Sequence, residues 1–312
     1  MGEDSRFVRA APRGSVCDLD TPDLCVARIH PQNTSPKSLR GACWCACQIT
    51  VLQRVLGSEW LAFAALPALT SAEANLPLLS CIMPTYNRRS FIGLSLKAFE
   101  AQDYPAKELI IVDDGTDPIG DMVDKVASVR YVRLPARLSI GAKRNRACAE
   151  ARGAIIAHWD DDDWYSVNRL SYQVAPLLEG RADLTGLENA FQLELANGEF
   201  RRATPELHRR MFVGDLHGGT LVYWKKLFTE GLRYPEVNLA EDAAFILQAK
   251  RRGKQMLRLD NPGLFVYVRH DHNSWCFPAC VTSDPHGWHQ VPGPQGFSEQ
   301  LLGAFRTASK TL

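Results

Sequence analysis

Leu78-Leu79-Ser80-Cys81-Ile82-Met83, closed by Pro84, and Leu109-Ile110-Ile111-Val112, closed by Asp113-Asp114-Gly115-Thr116, decide the fold. Each is a short apolar run ended by polar, turn-forming residues, the pattern of a strand buried on both faces. Between them, Phe91, Leu94 and Ala98 recur at helical spacing across residues 90–102. Strand, helix and strand within roughly 35 residues form a βαβ unit, so the sheet is at least partly parallel.

Further along the chain, buried strands are expected at 129–134 and 154–159, with a helix over 141–151 between them that Gly153 stops. The expected fold class is α/β: an open, mostly parallel, Rossmann-like sheet with helices on both faces. Downstream the pattern is mixed. It predicts a helix over 167–178, a hairpin of 191–195 and 199–202 around Asn197-Gly198, and a short strand at 220–223. A helix over 241–252, stopped by Gly253, and a final strand at 264–268 complete a domain spanning 77–275. Residues 1–76 read as an irregular or helical, cysteine-containing extension, with amphipathic helix over 49–69. Residues 276–312 read as a tail with a helix at 298–310 that packs on the domain, covers an acceptor site or touches a membrane surface.

The chain has 312 residues, 46% hydrophobic and 23% charged, and its 36 basic and 35 acidic residues leave a net charge of +1. That balance gives no electrostatic reason to expect nucleic acid as a partner, and the apolar content excludes a disordered chain. The longest uncharged stretch around residues 42–71, Trp60 to Ala72, contains Pro67 and falls short of the roughly 20 apolar residues of a transmembrane helix. Nine cysteines, five of them before residue 48, cannot all pair within one molecule, which argues for reduced thiols and a cytoplasmic setting.

Ligands of an open α/β sheet bind beyond the carboxyl ends of its strands. Here those ends carry Pro84-Thr85-Tyr86-Asn87-Arg88, Asp113-Asp114-Gly115-Thr116 and Asp160-Asp161-Asp162-Asp163. Four carboxylates crowded behind a buried strand need a positive partner. Hard oxygen donors suit Mg²⁺ or Mn²⁺, which typically join one or two carboxylates to a substrate diphosphate. A haloacid-dehalogenase-type phosphatase loop is excluded, because Val112 stands where its nucleophilic carboxylate belongs. A dinucleotide fold is unsupported, because no G-x-G-x-x-G follows the first strand.

Taken in order, Pro-Thr-Tyr-Asn-Arg at 84–88, Val-Asp-Asp-Gly-Thr at 112–116, Gly141-Ala-Lys-Arg-Asn145, the run Asp160 to Asp163 and Leu239-Ala-Glu-Asp-Ala243 resemble the inverting glycosyltransferases of family 2, with the GT-A fold. The resemblance implies a donor site. Thr85, Tyr86 and Asp114 would line the nucleobase pocket, with Pro84, Asn87, Arg88, Asp113, Lys143, Asn145 and Asp161 on the same donor side. Asp160 would reach the ribose side of the donor. Asp162, with Asp160 beside it, would ligate the metal, although four acids in a row leave the register open by one residue, and Asp163 would orient its neighbours. Asp242, in preference to Glu241, would be the general base. Within Arg269-His270-Asp271-His272-Asn273, His270 or His272 would complete the metal or diphosphate site. The implied donor is a nucleoside-diphosphate sugar, with UDP favoured, and the acceptor an unidentified hydroxyl or amine.

Two rivals stay open at this level: a nucleotidyltransferase, although the loop after the first strand lacks the glycines it wants, and a non-catalytic nucleotide-binding module of the same fold. Cys276, Cys280, His286 and His289, and separately Cys43, Cys45 and Cys47 with Cys17, Cys25 and His30, supply zinc-type ligands at irregular spacing. Reduced structural thiols are the expectation for both groups.

Overall fold

The computed structural model describes residues 76–124, 126–275 and 286–311. Chain contacts divide the molecule into residues 1–76 and 77–312. The expected helix over 49–69 and both cysteine groups, apart from His286 and His289, lie outside the described residues.

The first expectation holds closely. β1 (Leu79–Thr85) runs parallel to β2 (Lys107–Asp113), joined by α1 (Arg89–Glu100), and β2 runs parallel to β3 (Val129–Arg133) after the single turn α2 (Gly120–Val123). Then α3 (Ile140–Glu150) carries the chain back to β4 (Ile155–His158), parallel to β1 on its other side. β1 is buried at all but one position because it lies between two parallel neighbours. α1 buries Phe91, Ile92, Ser95, Leu96 and Phe99 on one stripe.

The strand order β3-β2-β1-β4 reverses direction at β1. Right-handed crossovers therefore put α1 and α3 on opposite faces, and leave a crevice beyond the carboxyl ends of β1 and β4. Register sharpens this: Thr85 pairs with Asp113, and Ile82 with His158, so Asp160 and the acids after it emerge beside the loop at 84–88.

The second half is less regular. β5 (Trp164–Tyr165), α4 (Arg169–Leu178), β6 (Leu184–Leu187), β7 (Phe191–Glu194), β8 (Glu199–Ala203), α5 (Pro205–Met211), β9 (Val222–Trp224), α6 (Lys226–Thr229), α7 (Glu241–Arg251), β10 (Met256–Leu259) and β11 (Phe265–Arg269) follow. β9 joins the main sheet antiparallel to β4 and β6, and β10 extends it beyond β6. β7 and β8 form the expected hairpin inside a second sheet, with β11 parallel to β7 and antiparallel to β5.

The tail is a correction to the expected boundary at 275. β12 (Trp288–Val291) pairs antiparallel with β8, and α8 (Glu299–Lys310) buries Leu302, Phe305 and Ala308 in one cluster with Phe91 of α1 and Val266 and Val268 of β11. Ser298 caps that helix, its Oγ accepting from Leu301 N at 3.2 Å. Three apolar side chains turned to the same cluster explain the docking, since burying a Leu or Phe contributes about 1.5–3 kcal/mol each. No helix among the described residues is long and apolar enough to cross a membrane.

Candidate active site

The carboxyl ends of β1, β2 and β4, the amino ends of α3 and α7, and the segment after β11 enclose a cleft of about 910 Å³. Pro84, Thr85, Tyr86, Asn87, Arg88, Lys143, Asp160, Asp161, Asp162, Glu241, Asp242 and His272 line it. One end is built from buried charge pairs. Lys143 Nζ donates to Asp114 Oδ1 at 2.8 Å and to the Thr85 carbonyl at 2.9 Å, while Leu138 N donates to Asp114 Oδ2 at 2.7 Å. Asp114 keeps further lone pairs for a ligand donor. The Arg137 guanidinium lies 4.0 Å over the Tyr86 ring.

Asn87 adopts a left-handed backbone (φ 51°), and its Oδ1 accepts from Thr116 N at 2.6 Å, clasping the loops after β1 and β2 together. That clasp explains Gly115: a Cβ there would lie 2.7 Å from Asn87 N. Asp113 is a correction. It does not line the cleft; its Oδ1 accepts from Gly115 N at 2.7 Å and its Oδ2 from the Tyr131 hydroxyl at 2.7 Å, so it shapes the loop.

The acids after β4 diverge in role. His270 Nε2 lies 3.1 Å from Asp162 Oδ2, Arg88 Nη2 lies 3.6 Å from the same oxygen, and the His270 ring stacks on Phe91 at 5.0 Å. Burial raises the Asp162 pKa, but the hydrogen bond from His270 and the charge of Arg88 outweigh it and hold the group below its ordinary value. Asp161 has less compensation: burial, with Asp162 beside it, pushes its pKa up to about 7 against the opposing charge of Arg88. Asp163 is buried and accepts from Val268 N at 2.9 Å, tying the start of β5 to β11. Arg88 also donates to the His272 carbonyl, so the backbone of His272 is engaged there.

Asp160 is paired from below. Arg144 donates from Nη2 to Asp160 Oδ1 at 2.9 Å and from Nε to Glu241 Oε1 at 3.1 Å. Burial and the neighbouring acids raise the Asp160 pKa despite Arg144. Glu241, expected as an alternative base, is buried and committed to Arg144. Asn145 is likewise corrected: it does not line the cleft, and its amide clamps the backbone of Tyr234 in both directions, at 2.8 and 3.0 Å. Adjacent helical residues point about 100° apart, which is why Arg144 reaches the cleft and Asn145 does not.

Asp242 accepts from a backbone N–H and from no cationic side chain among the described residues. It follows Ala240, which is left-handed (φ 60°), and its Oδ1 accepts from Ala243 N at 2.7 Å in the first turn of α7. Burial, and then Glu241, push its pKa up to about 6, with Arg144 opposing. Its carboxylate presses on the His217-Gly218-Gly219-Thr220 turn, where a Cβ on Gly218 would overlap Oδ2 at 1.4 Å. A Cβ on Gly219 would lie 3.1 Å from Asp160 Oδ2. Asp160 and Asp242 therefore flank two consecutive glycines. Beneath that turn His158 Nδ1 lies 2.8 Å from the Gly218 carbonyl, and its Nε2 begins a buried chain through the Tyr234 and Tyr223 hydroxyls to Cys148 Sγ, at 2.7, 2.8 and 3.3 Å.

The donor set fits a divalent cation only in one way. Among the described residues no three His, Cys, Asp or Glu side chains gather around one point. Two hard carboxylates at one end of a cleft suit Mg²⁺ or Mn²⁺ held jointly with substrate phosphates, not a cage made wholly of protein.

Comparison with known proteins follows the same lines. The family model for glycosyl transferase family 2 matches residues 80–211. An uncharacterized glycosyltransferase of Haemophilus influenzae is 27% identical over 191 residues, covering 59% of this chain and 76% of that protein. The putative colanic acid biosynthesis glycosyl transferase WcaA of Escherichia coli is 27% identical over 207 residues, covering 63% and 74%. Among solved structures, S. aureus TarS 1–349 in complex with UDP-GlcNAc superposes with a TM-score of 0.52 at 21% identity, over 63% of this chain and 60% of that one. At that identity the superposition establishes the shared GT-A architecture.

Proposed function

This chain belongs to glycosyltransferase family 2, and from that premise we propose that it moves a sugar from a nucleoside-diphosphate donor, UDP in the first instance, to an acceptor hydroxyl or amine with inversion. The observation that carries the reading is the Gly218-Gly219 floor, with Asp160 against one glycine and Asp242 against the next. In-line displacement needs leaving-group stabilisation and a base on opposite faces of the anomeric carbon, and a side-chain-free floor leaves room for the sugar between them.

In this reading Tyr86, Thr85 and Asp114 receive the nucleobase, and Lys143 holds the Asp114 side chain in place. Asp162 and Asp160 would hold Mn²⁺ or Mg²⁺ with His270 beside them; when bound, the ion supplies positive charge to the departing diphosphate. Arg88 places a second positive charge at the same end. Asp242 takes the acceptor proton at its carboxylate, and its raised pKa makes it a better base than an ordinary aspartate while leaving it ionised at neutral pH. That TarS was solved with UDP-GlcNAc supports UDP as the nucleotide.

Equilibrium binding of UDP, GDP and dTDP with and without Mn²⁺, to wild type and Asp162→Asn, tests the reading. One nucleotide should bind tightly, and its binding should weaken when either the ion or the carboxylate is removed. No binding in any arm overturns the assignment.

A further inference from the structure

One side chain on the cleft floor is explained by neither the donor machinery nor the base. His217 is only 4% exposed and lines the cleft, yet neither ring nitrogen has a hydrogen-bond partner among the described residues. Its backbone is fixed, with N–H donating to Leu187 O at 2.9 Å and the carbonyl accepting from Thr220 N at 3.0 Å and Thr220 Oγ1 at 2.7 Å. Its ring is packed among Phe212, Phe265 and Tyr267, centroids 4.7, 5.0 and 5.7 Å away. Burial drives its pKa down to about 3, so the imidazole is neutral and unsuited to pairing with phosphate. A neutral imidazole presents one N–H donor and one bare acceptor nitrogen. Buried polar atoms left unpaired are unfavourable unless a ligand satisfies them.

Position narrows the ligand. A Cβ on Gly219 would lie 3.5 Å from the His217 ring and 3.1 Å from Asp160 Oδ2, while the adjoining Gly218 touches Asp242. The imidazole thus borders the space between the leaving-group acids and the base, where the transferred sugar belongs. Trp275 closes the same wall, 5.7 Å from Phe212 and 6.3 Å from Tyr267. A pyranose matches this surface, since its hydroxyls both donate and accept and its C–H face packs on aromatic rings.

Resting on the transferase reading, we propose that His217 hydrogen-bonds a hydroxyl of the transferred pyranose, with Phe212, Tyr267 and Trp275 against the sugar's C–H face, and so helps select which sugar is moved. The test compares wild type, His217→Phe and His217→Gln. The first keeps aromatic packing and removes both polar atoms; the second returns a donor and an acceptor. With Mn²⁺ present, each is measured for UDP binding and for nucleotide release from UDP-glucose, UDP-galactose, UDP-N-acetylglucosamine and GDP-mannose. We expect His217→Phe to bind UDP within twofold of wild type, lose 10- to 100-fold in kcat/KM for the preferred donor and flatten the preference among donors, with His217→Gln recovering part of both. Unchanged kcat/KM and preference in His217→Phe, or equal loss of UDP binding and turnover, overturns the subsite alone. A wild type that binds and turns over none of these nucleotides overturns the transferase reading and the subsite with it.

Discussion

The two walls of the cleft are made of different material. On the wall that follows β1, β2 and β4, charges meet countercharges within hydrogen-bonding or ion-pair range: Lys143 with Asp114, Arg144 with Asp160 and Glu241, His270 and Arg88 with Asp162. The wall contributed by later segments is mainly apolar and aromatic, with Met211, Phe212, Val213, Leu216, Ile246, Tyr267 and Trp275. The first wall is electrostatically set in advance and suits a ligand of fixed charge such as a nucleoside diphosphate. The second offers shape rather than charge, which suits the proposed role of telling one sugar from another.

Substitutions that cross this division should separate the walls. The largest effect is expected from Asp242→Asn, which should lower kcat about 1,000-fold, within the usual range for losing a general base, while donor affinity measured by calorimetry stays within threefold of wild type. The same carboxylate burdens the fold. Its pKa is raised, so its contribution to stability is fully present below about pH 4, the unfolded value, and is lost as pH rises through about 6. Thermal melts should therefore find Asp242→Asn more stable than wild type at pH 8, by about 3 kcal/mol, and equal to it near pH 4. Wild-type kcat should fall about tenfold per pH unit below about 6, a limb absent from the residual activity of the variant.

Lys143→Met tests the charged wall as structure. It leaves Asp114 buried without its cation and should cost about 3–5 kcal/mol in urea unfolding, with Asp114→Asn in the same chain restoring part of the loss. Gly218→Ala is milder and sits at the boundary: the new methyl must displace the Asp242 carboxylate, so kcat should fall about 10- to 100-fold with UDP affinity unchanged, as expected for a displaced catalytic group. Smallest is Phe212→Leu, expected to change donor-sugar preference by about tenfold and UDP binding not at all, the lower end of what reshaping an apolar pocket is worth.

The charged wall was also the legible one. Residues 79–158 alternate continuous apolar runs with one-faced helices, so β1, β2, β3, β4, α1 and α3 are readable from period alone, and the ligand-facing loops follow from where the strands end. β6 and β10 are not legible in the sequence because Leu184–Leu187 and Met256–Leu259 are four residues long, and Arg258 breaks the apolar pattern of the second. Trp288–Val291 is invisible as a strand because it is an edge, two of its residues exposed. Arg144 lies between Lys143 and Asn145 in the sequence, and only three-dimensional packing tells which of these helical residues turns toward the cleft. His217-Gly218-Gly219-Thr220 resembles the family's small-residue loop near the donor sugar and equally reads as a turn, but the burial of the imidazole shows only in three dimensions. The importance of His217 lies in what its ring lacks.

The buried chain below the Gly218 turn has a polarity that one atom dictates. The Gly218 carbonyl can only accept, so His158 must carry its proton on Nδ1, and burial keeps the ring neutral with a bare Nε2. Tyr234 must then point its proton at His158, Tyr223 at Tyr234, and Cys148 at Tyr223. Every hydrogen in the row is oriented, like dominoes leaning one way, from a thiol in the core to the backbone beneath the catalytic floor. A Cys148→Ala change would remove the last donor without touching the cleft, and the imidazole ¹⁵N shifts of His158 would register it three hydrogen bonds away.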